Sequence, residues 1–323
     1  KGKGIVIREP SVVAIHKRTK AVIAIGTEAK KMLGRAPSTI SVIRPLADGV
    51  ISDFDATAAM LSDYIKLVHK SPGAFPKITK PKVVIGIPSG VTEVERRAVQ
   101  EAALSAGARK AFLIEEPMAA AIGIGLPIDD STGSIIVDIG GGTTEMAVTA
   151  LGGVVVSKSI RTAGDEMDEA IILFMRMKYG VLIGQPTAEA LKISIGSAHP
   201  GPVGENQDRF AVVRGRDLET GLPKSLKISS SEIREALSPV VSEIIQGLSQ
   251  LLEETPPELA ADIIDKGIVM AGGTSLLRNL DKLMTQMTGV VAHVAEDPLL
   301  CVVRGTGVAM ENIELYKRSI SRK

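Results

Sequence analysis

The chain has 323 residues, of which 45% are apolar and 23% charged, and its formal net charge at pH 7 is +1. This composition is typical of a globular protein long enough for two domains, and the near-neutral charge gives no reason to expect a nucleic-acid partner. An aromatic content of 2% without tryptophan argues against base-stacking surfaces. The single cysteine, Cys301, excludes an internal disulfide framework, fits a reducing cytosol and is expected to be a small buried residue.

Strand-like and helix-like segments alternate along most of the chain. The predicted strands, in chain order, are GIVIREPSVVAI, AVIAIG, KVVIGIP, AFLIEEP, SIIVDI, TTEMAV, GGVVVSKSI and KGIVMA. The predicted helices are TEAKKML, DATAAMLSDYIKLVHK, TEVERRAVQEAALSAGA, PMAAAIGIGL, GDEMDEAIILFMRMKYG, SSSEIREALSPVVSEIIQGLSQLLEET and PPELAADII. Thr27 is expected to open the first of these helices and Thr92 to cap the third. The stretch 184–226 is more polar and irregular, and 199–208 is predicted to be a loop. The alternation favours an α/β fold whose mixed sheets are covered by helices.

A weak internal repeat links the start of the chain to its middle. Residues 134–164, SIIVDIGGGTTEMAVTALGGVVVSKSIRTAG, consist of three extended runs joined by glycine turns. The first residues, KGKGIVIREPSVVAI, resemble only the third of these runs. If the two halves of the chain are duplicates, the first half lacks its first two strands. Because no initiator methionine is present either, we expect the sequence to be a fragment.

Three consecutive glycines, 140–142, directly follow an apolar strand. Adjacent glycines let backbone amides turn outward and approach a ligand closely, which suits phosphate oxygens. Thr143 and Thr144 add hydroxyls, and Asp138 at the strand end could orient a hydrated Mg²⁺ ion. The same residues are equally compatible with a plain tight hairpin turn.

A second pair of glycines, in GIVMAGGTSLL, follows another apolar strand and is predicted to open a helix. Amides at a helix N-terminus favour anions or polar ligand atoms. The alternative is a simple strand-to-helix turn with Thr274 or Ser275 as N-cap. Two such turns, far apart in the chain, together favour a nucleotide bound in a cleft between domains.

These residues resemble the superfamily of actin, sugar kinases and DnaK-type chaperones, in which DIGGGTTE is the second phosphate loop and AGGTSLL the adenosine motif. The chain is more closely similar to the MreB family of rod shape-determining bacterial actins. The similarity extends from residue 1 almost to the end and is weakest at 199–230. The motifs that carry it are GKGIVIREPSVVAI, IRPLADGVISDF, VTEVERRAVQEAALSAGARK, LIEEPMAAAIG, VDIGGGTTEMAV, AGDEMDEAI and TPPELAADIIDKGIVMAGGTSLLRNLD.

The resemblance implies an actin-like (ribonuclease H-like) α/β fold of duplicated domains, with the nucleotide in the cleft between them. It also implies four subdomains. These are IA at 1–13, 47–130 and 301–323, IB at 14–46, IIA at 131–166 and 237–300, and IIB at 167–236.

By the same resemblance, Glu116 in the EEP motif positions the water that attacks the γ-phosphate, alongside Thr143. Taken by itself, Glu116 fits better as an acid in the first turn of a helix, where the helix dipole favours it. Asp138 would face Mg²⁺ through water. The residues implied to contact ATP are Asp138, Gly140, Gly141, Gly142, Thr143, Gly164, Asp165, Glu189, Lys192, Gly272, Gly273, Thr274, Ser275 and Leu276.

Three departures from the family pattern bear on nucleotide affinity. Position 190 is alanine where the family usually has a basic residue. Thr274 stands at the third glycine of the usual motif, where its β-carbon could crowd the nucleotide or require a different backbone. The first phosphate loop, of the form DLGTANT, is absent from the front of the sequence, so ATP hydrolysis is expected to be weakened or lost in the chain as given.

The resemblance further implies filaments with head-to-tail protofilaments in antiparallel pairs, at the inner face of the cytoplasmic membrane. Cell-wall elongation and membrane-anchor proteins are the implied partners. Residues Ala74, Phe75 and Pro76, flanked by lysines, match the family's membrane-inserting loop, although Phe75 could instead fold back into the core. Two alternatives are a nucleotide-impaired filament scaffold and, less well matched, a small-molecule kinase of the same fold.

Overall fold

The computed structural model describes residues 3–70, 80–200, 208–313, 315–316 and 320–321. The chain divides into two compact units. Unit 1 is Lys1–Gly125 with Val302–Lys323, and unit 2 is Leu126–Cys301. The finer division into four subdomains stays a prediction.

Unit 1 is built from short strands and covering helices. Its strands are β1 (Val13–His16), β2 (Val22–Ile25), β3 (Ile40–Ile43), β4 (Leu46–Ala47), β5 (Val50–Ile51), β6 (Lys82–Ile87), β7 (Lys110–Glu115) and β16 (Ile320–Ser321). Its helices are α1 (Thr27–Lys31), α2 (Phe54–Lys70), α3 (Glu93–Ser105), α4 (Glu116–Ile124) and α10 (Cys301–Glu311), which begins at the unit boundary. β1 pairs antiparallel with β2 and β3, and β6 pairs parallel with β7, whose other edge carries β16.

Unit 2 has a central five-stranded sheet in the order β10-β9-β8-β14-β15 and a smaller sheet in the order β11-β12-β13. The strands are β8 (Ser134–Ile139), β9 (Thr144–Ala150), β10 (Gly153–Ile160), β11 (Val181–Leu182), β12 (Phe210–Asp217), β13 (Pro223–Ser229), β14 (Ile268–Ala271) and β15 (Ala292–Val294). The helices are α5 (Gly164–Tyr179), α6 (Gln185–Ile195), α7 (Ser230–Glu254), α8 (Pro257–Lys266) and α9 (Leu280–Thr288). β8 and β9 are buried along their whole length, so they form the centre of the unit's core.

Most of the predicted elements are confirmed. The three extended runs of 134–164 form the antiparallel meander β8-β9-β10. Thr92 caps α3, because its side chain accepts a hydrogen bond from the Glu95 amide. The double proline at 256–257 separates α7 from α8, because a residue that precedes proline favours extended backbone, as Thr255 shows, whereas Pro257 suits the start of the next helix.

Several predictions differ from the structure. Within the described part of the first sixteen residues, only Val13–His16 forms a strand. Thr27 begins α1, but its hydroxyl donates to Glu9 at 2.5 Å and does not cap the helix. The stretch 184–226 is more regular than expected, since it holds α6, β12 and the start of β13. The predicted loop at 199–208 lies mostly outside the described residues.

None of the helices in the described ranges combines the length and apolar character needed to cross a lipid bilayer.

Candidate functional site

The two glycine turns lie side by side at one edge of the central sheet of unit 2. β8 and β14 are parallel neighbours, with Ala271 opposite Asp138, so the chain leaves both strands at the same edge. Gly272 then passes directly against the end of β8. A β-carbon at this position would lie 2.2 Å from the Ile139 carbonyl oxygen and 2.5 Å from Asp138 Oδ1. The close approach of the two turns therefore depends on glycine at 272.

The first turn is a closed hairpin with an accessible tip. The Gly140 amide donates to the Thr143 carbonyl at 2.9 Å, while Gly141 is exposed and Thr143 is buried. The alternative prediction of a tight hairpin turn is thus confirmed. It is also compatible with ligand binding, because the exposed tip leaves backbone groups open to a ligand.

The N-terminus of α5 completes this edge. The Asp165 amide donates to the Gly141 carbonyl at 2.7 Å, and the Gly164 amide donates to the Gly140 carbonyl at 3.3 Å. A β-carbon at Gly164 would lie 2.6 Å from Thr274 Oγ1 and 3.2 Å from Lys192 Nζ. Gly164 is therefore the point where the first turn, the second turn and α6 meet.

The second turn is tighter than predicted. Gly273 has φ −68° and ψ −32°, and Thr274–Leu276 form one 3-10 turn, whereas α9 begins only at Leu280. A helix follows these glycines as predicted, but it is a single 3-10 turn, and the Ser275 hydroxyl closes it on the Gly272 carbonyl at 2.6 Å. Thr274 needs no unusual backbone here, and its hydroxyl donates to the Gly140 carbonyl at 2.7 Å. Leu276 is 55% exposed.

Lys192, which the resemblance implies as a nucleotide contact, is hydrogen-bonded and ion-paired within unit 2. Its ammonium donates to the Gly164 carbonyl at 2.6 Å and forms an ion pair with Asp168 Oδ1 at 2.8 Å. Burial raises the pKa of Asp168 to about 6, although the Lys192 charge acts in the opposite direction. Sequence reasoning missed Asp168, and the only indication was an acid three residues after Asp165 on the same helix face. Ala190 is exposed on α6.

Asp138 is a buried carboxylate opposite a second one, Glu145, on the neighbouring strand. Burial first, and the Glu145 charge second, raise the pKa of Asp138 to about 7. Two carboxylates beneath the first glycine turn fit a hard divalent cation, whose charge would offset their repulsion. No set of three or more His, Cys, Asp or Glu side chains in the described ranges could hold a metal directly.

The raised pKa leads to a prediction for Asp138→Asn in the absence of metal and nucleotide. Between the ordinary pKa of about 4 and the folded value of about 7, the folded state holds a proton that the unfolded state lacks, so wild-type stability falls as pH rises. Asparagine cannot ionise and escapes this loss. We expect the free energy of unfolding of the variant to exceed that of the wild type by up to about 4 kcal/mol at about pH 8. The difference should vanish at about pH 4. Thermal unfolding in EDTA measures this stability difference, and a difference that widens on acidification would contradict the raised pKa of Asp138.

Glu116 lies in unit 1, where β7 ends and α4 begins, with Pro117 in the first turn. Gly86 on the adjacent β6 makes room for it. A β-carbon at Gly86 would lie 3.4 Å from Glu116 Cγ and 3.3 Å from a methyl group of Val302. The preceding Glu115 is ion-paired with Arg96 at 3.3 Å. The catalytic role of Glu116 stays a prediction.

Two further sequence predictions have different outcomes. Cys301 is buried, with 1% of its surface exposed, as expected for a small core residue. Ala74, Phe75 and Pro76, the predicted membrane loop, lie outside the described residues.

The whole chain is similar in sequence to proteins of one family. The family profile described as MreB/Mbl protein matches residues 1–318. The cell shape-determining protein MreB of Escherichia coli (strain K12) is 52% identical over 320 residues, covering 98% of this chain and 90% of that protein. The cell shape-determining protein Mbl of Bacillus subtilis (strain 168) is 45% identical over 322 residues, covering 99% and 94%.

Solved structures agree with the sequence comparisons. MreB5 of Spiroplasma citri bound to ADP superposes with a TM-score of 0.90 at 39% identity, covering 98% of this chain and 93% of that one. The same protein bound to AMPPNP gives a TM-score of 0.89. A MamK double helical filament, at 23% identity and a TM-score of 0.74, shows the fold alone. The predicted actin-like α/β fold is confirmed, and the chain belongs to the MreB/Mbl family.

Proposed function

We propose that this protein is a bacterial actin that binds and hydrolyses ATP and forms filaments that organise cell-wall synthesis and rod cell shape. One observation carries the proposal: two separate glycine turns and the N-terminus of α5 meet at one sheet edge. Two further findings support it. Relatives about half identical to the chain are named for cell-shape determination, and a solved relative at 39% identity holds ADP or AMPPNP.

The sheet edge suits the phosphates of a nucleotide. Backbone amides at the exposed tip of the first turn favour anions, and the α5 dipole adds to this. Because Gly164 and Gly272 have no β-carbon, the two glycine turns and the start of α5 lie close together, and between them they form the crevice proposed to hold the phosphates. Ser275, Leu276 and Glu189 remain our candidates for the nucleoside side of the ligand.

Phosphoryl transfer requires mainly positioning and charge neutralisation from the protein. Asp138 would hold Mg²⁺ through water. When bound, Mg²⁺ neutralises negative charge on the phosphate groups. Glu116 and Thr143 would orient the attacking water by accepting and donating hydrogen bonds.

Head-to-tail assembly repeats a heterologous contact that does not close, so the protofilament can propagate. We propose antiparallel pairs of such protofilaments on the inner face of the cytoplasmic membrane, held there through residues 74–76. Cell-wall elongation and membrane-anchor proteins would bind the same filaments.

Pelleting with and without ATP and liposomes, together with phosphate release, tests the proposal. Glu116→Gln is expected to bind nucleotide and pellet as the wild type does, but to release phosphate at least about 100-fold more slowly. The matched control is Glu115→Gln, which removes the neighbouring carboxylate that pairs with Arg96. Unchanged phosphate release in Glu116→Gln would contradict its catalytic role.

The wild-type result separates the alternatives. Filaments without phosphate release would favour the nucleotide-impaired scaffold. A monomer that phosphorylates a sugar would favour the small-molecule kinase and overturn the proposed function.

A further inference from the structure

We propose that the Thr274 hydroxyl is a positioning group that holds the crevice of the proposed ATP site in its binding-ready geometry and thereby slows nucleotide release. The inference rests on the proposed function. It concerns Thr274, which directly follows Gly272 and Gly273 in the second turn.

A single carbonyl joins three segments of unit 2. The Gly140 oxygen accepts the Thr274 hydroxyl at 2.7 Å and the Gly164 amide at 3.3 Å. These donors come from the second glycine turn and the start of α5, and the acceptor belongs to the first glycine turn. Without the hydroxyl, the direct hydrogen bond between the two glycine turns is lost.

The Thr274 oxygen lies within this junction. Its proton is donated to Gly140, and the oxygen occupies the space 2.6 Å from where a β-carbon of Gly164 would be. The turn that carries it is also closed from behind, since the Ser275 hydroxyl binds the Gly272 carbonyl and the Leu277 amide binds the Thr274 carbonyl. These two hydrogen bonds fix the turn that carries the Thr274 hydroxyl.

The junction continues into α6. The Gly164 carbonyl accepts from Lys192, whose ammonium pairs with Asp168. Both partners are largely withdrawn from solvent, with side-chain exposures of 13% for Lys192 and 2% for Asp168. An ordered network of this kind lowers the cost of arranging the crevice when a ligand binds. Loosening it should therefore shorten the lifetime of the complex more than it slows encounter.

Stopped-flow measurements with a fluorescent ribose-labelled ATP analogue and Mg²⁺ test the inference on the full chain. Thr274→Val removes the hydroxyl at nearly constant volume, and Thr274→Ser keeps it. We expect Thr274→Val to increase the dissociation rate constant about fivefold, with the association rate constant changed less than about twofold, because one hydrogen bond is lost. Thr274→Ser should restore the wild-type dissociation rate.

Thr306→Val is the matched control, because it removes a hydroxyl that donates to the Val302 carbonyl at 2.7 Å within α10. Melting temperatures without nucleotide verify that each variant folds. Equal dissociation rates for wild type and Thr274→Val, or a Thr274→Ser variant as impaired as Thr274→Val, would overturn the inference alone. A wild-type chain that does not bind the analogue would instead overturn the proposed function, and the inference with it.

Discussion

Gly305→Ala is expected to lower the free energy of unfolding by about 3 kcal/mol or more. A β-carbon at this position would lie 1.7 Å from the Ala119 carbonyl oxygen and 2.8 Å from the Gly123 amide nitrogen. Both contacts are with the backbone of α4, so no side-chain rotation can relieve them, and α10 must move away from α4. Because α4 begins at Glu116, we also expect a folded fraction of this variant to release phosphate more slowly.

Gly307→Ala, two residues later in the same helix, is the matched control. Gly307 is exposed, and a β-carbon there would meet no atom within 4 Å. Alanine should stabilise the helix by about 0.5 to 1 kcal/mol, because glycine is the poorer helix former. Thermal and denaturant unfolding of the two variants should give opposite signs. Equal stabilities would show that α10 does not contact α4 through Gly305.

The parts of the fold that sequence reasoning predicted correctly depend on local pattern. The meander β8-β9-β10 follows from β-branched runs separated by glycine turns, and the break between α7 and α8 follows from two prolines. In each case the residues that determine the structure are neighbours in the chain. Their conformational preferences are sufficient to predict the element.

The wrong predictions come from places where local pattern and tertiary contact disagree. Residues of β12 alternate between buried Val213 and exposed neighbours such as Arg214, and so polar an outer face favours an irregular segment when only the sequence is considered. Thr27 begins α1 as predicted, but it does not cap the helix, because its hydroxyl donates to the Glu9 carboxylate. The second glycine turn forms a short 3-10 turn because Ser275 closes it locally, which a strand-glycine-helix pattern does not distinguish.

The candidate site shows the same division. Glycines after two strands suggested that the turns act together, but only the parallel pairing of β8 with β14 brings them to one edge. The contact between Thr274 and Gly140 spans 134 positions in the chain, and that between Lys192 and Gly164 spans 28. No local periodicity encodes such contacts. The ion pair between Lys192 and Asp168 is one such contact. The resemblance implies only that Lys192 contacts the nucleotide.

Gly272→Ala is expected to remove nucleotide binding and to lower the free energy of unfolding by about 3 kcal/mol. Two independent effects contribute. Gly272 has φ +83°, a conformation that costs an alanine about 1 kcal/mol. The new β-carbon would also lie 2.2 Å from the Ile139 carbonyl oxygen and 2.5 Å from Asp138 Oδ1, which would force the second turn away from the end of β8.

Gly289→Ala separates these two effects. Gly289 has φ +74°, and a β-carbon there would meet no atom within 4 Å, so this variant carries the backbone cost alone. We expect it to lose about 1 kcal/mol and to bind nucleotide as the wild type does. Unfolding curves and titration with a fluorescent ATP analogue, measured on both variants, isolate the contribution of the contact at 272. If Gly272→Ala matched Gly289→Ala in both measurements, the second turn would not depend on close approach to β8, and the convergence of the two turns would lose its physical basis.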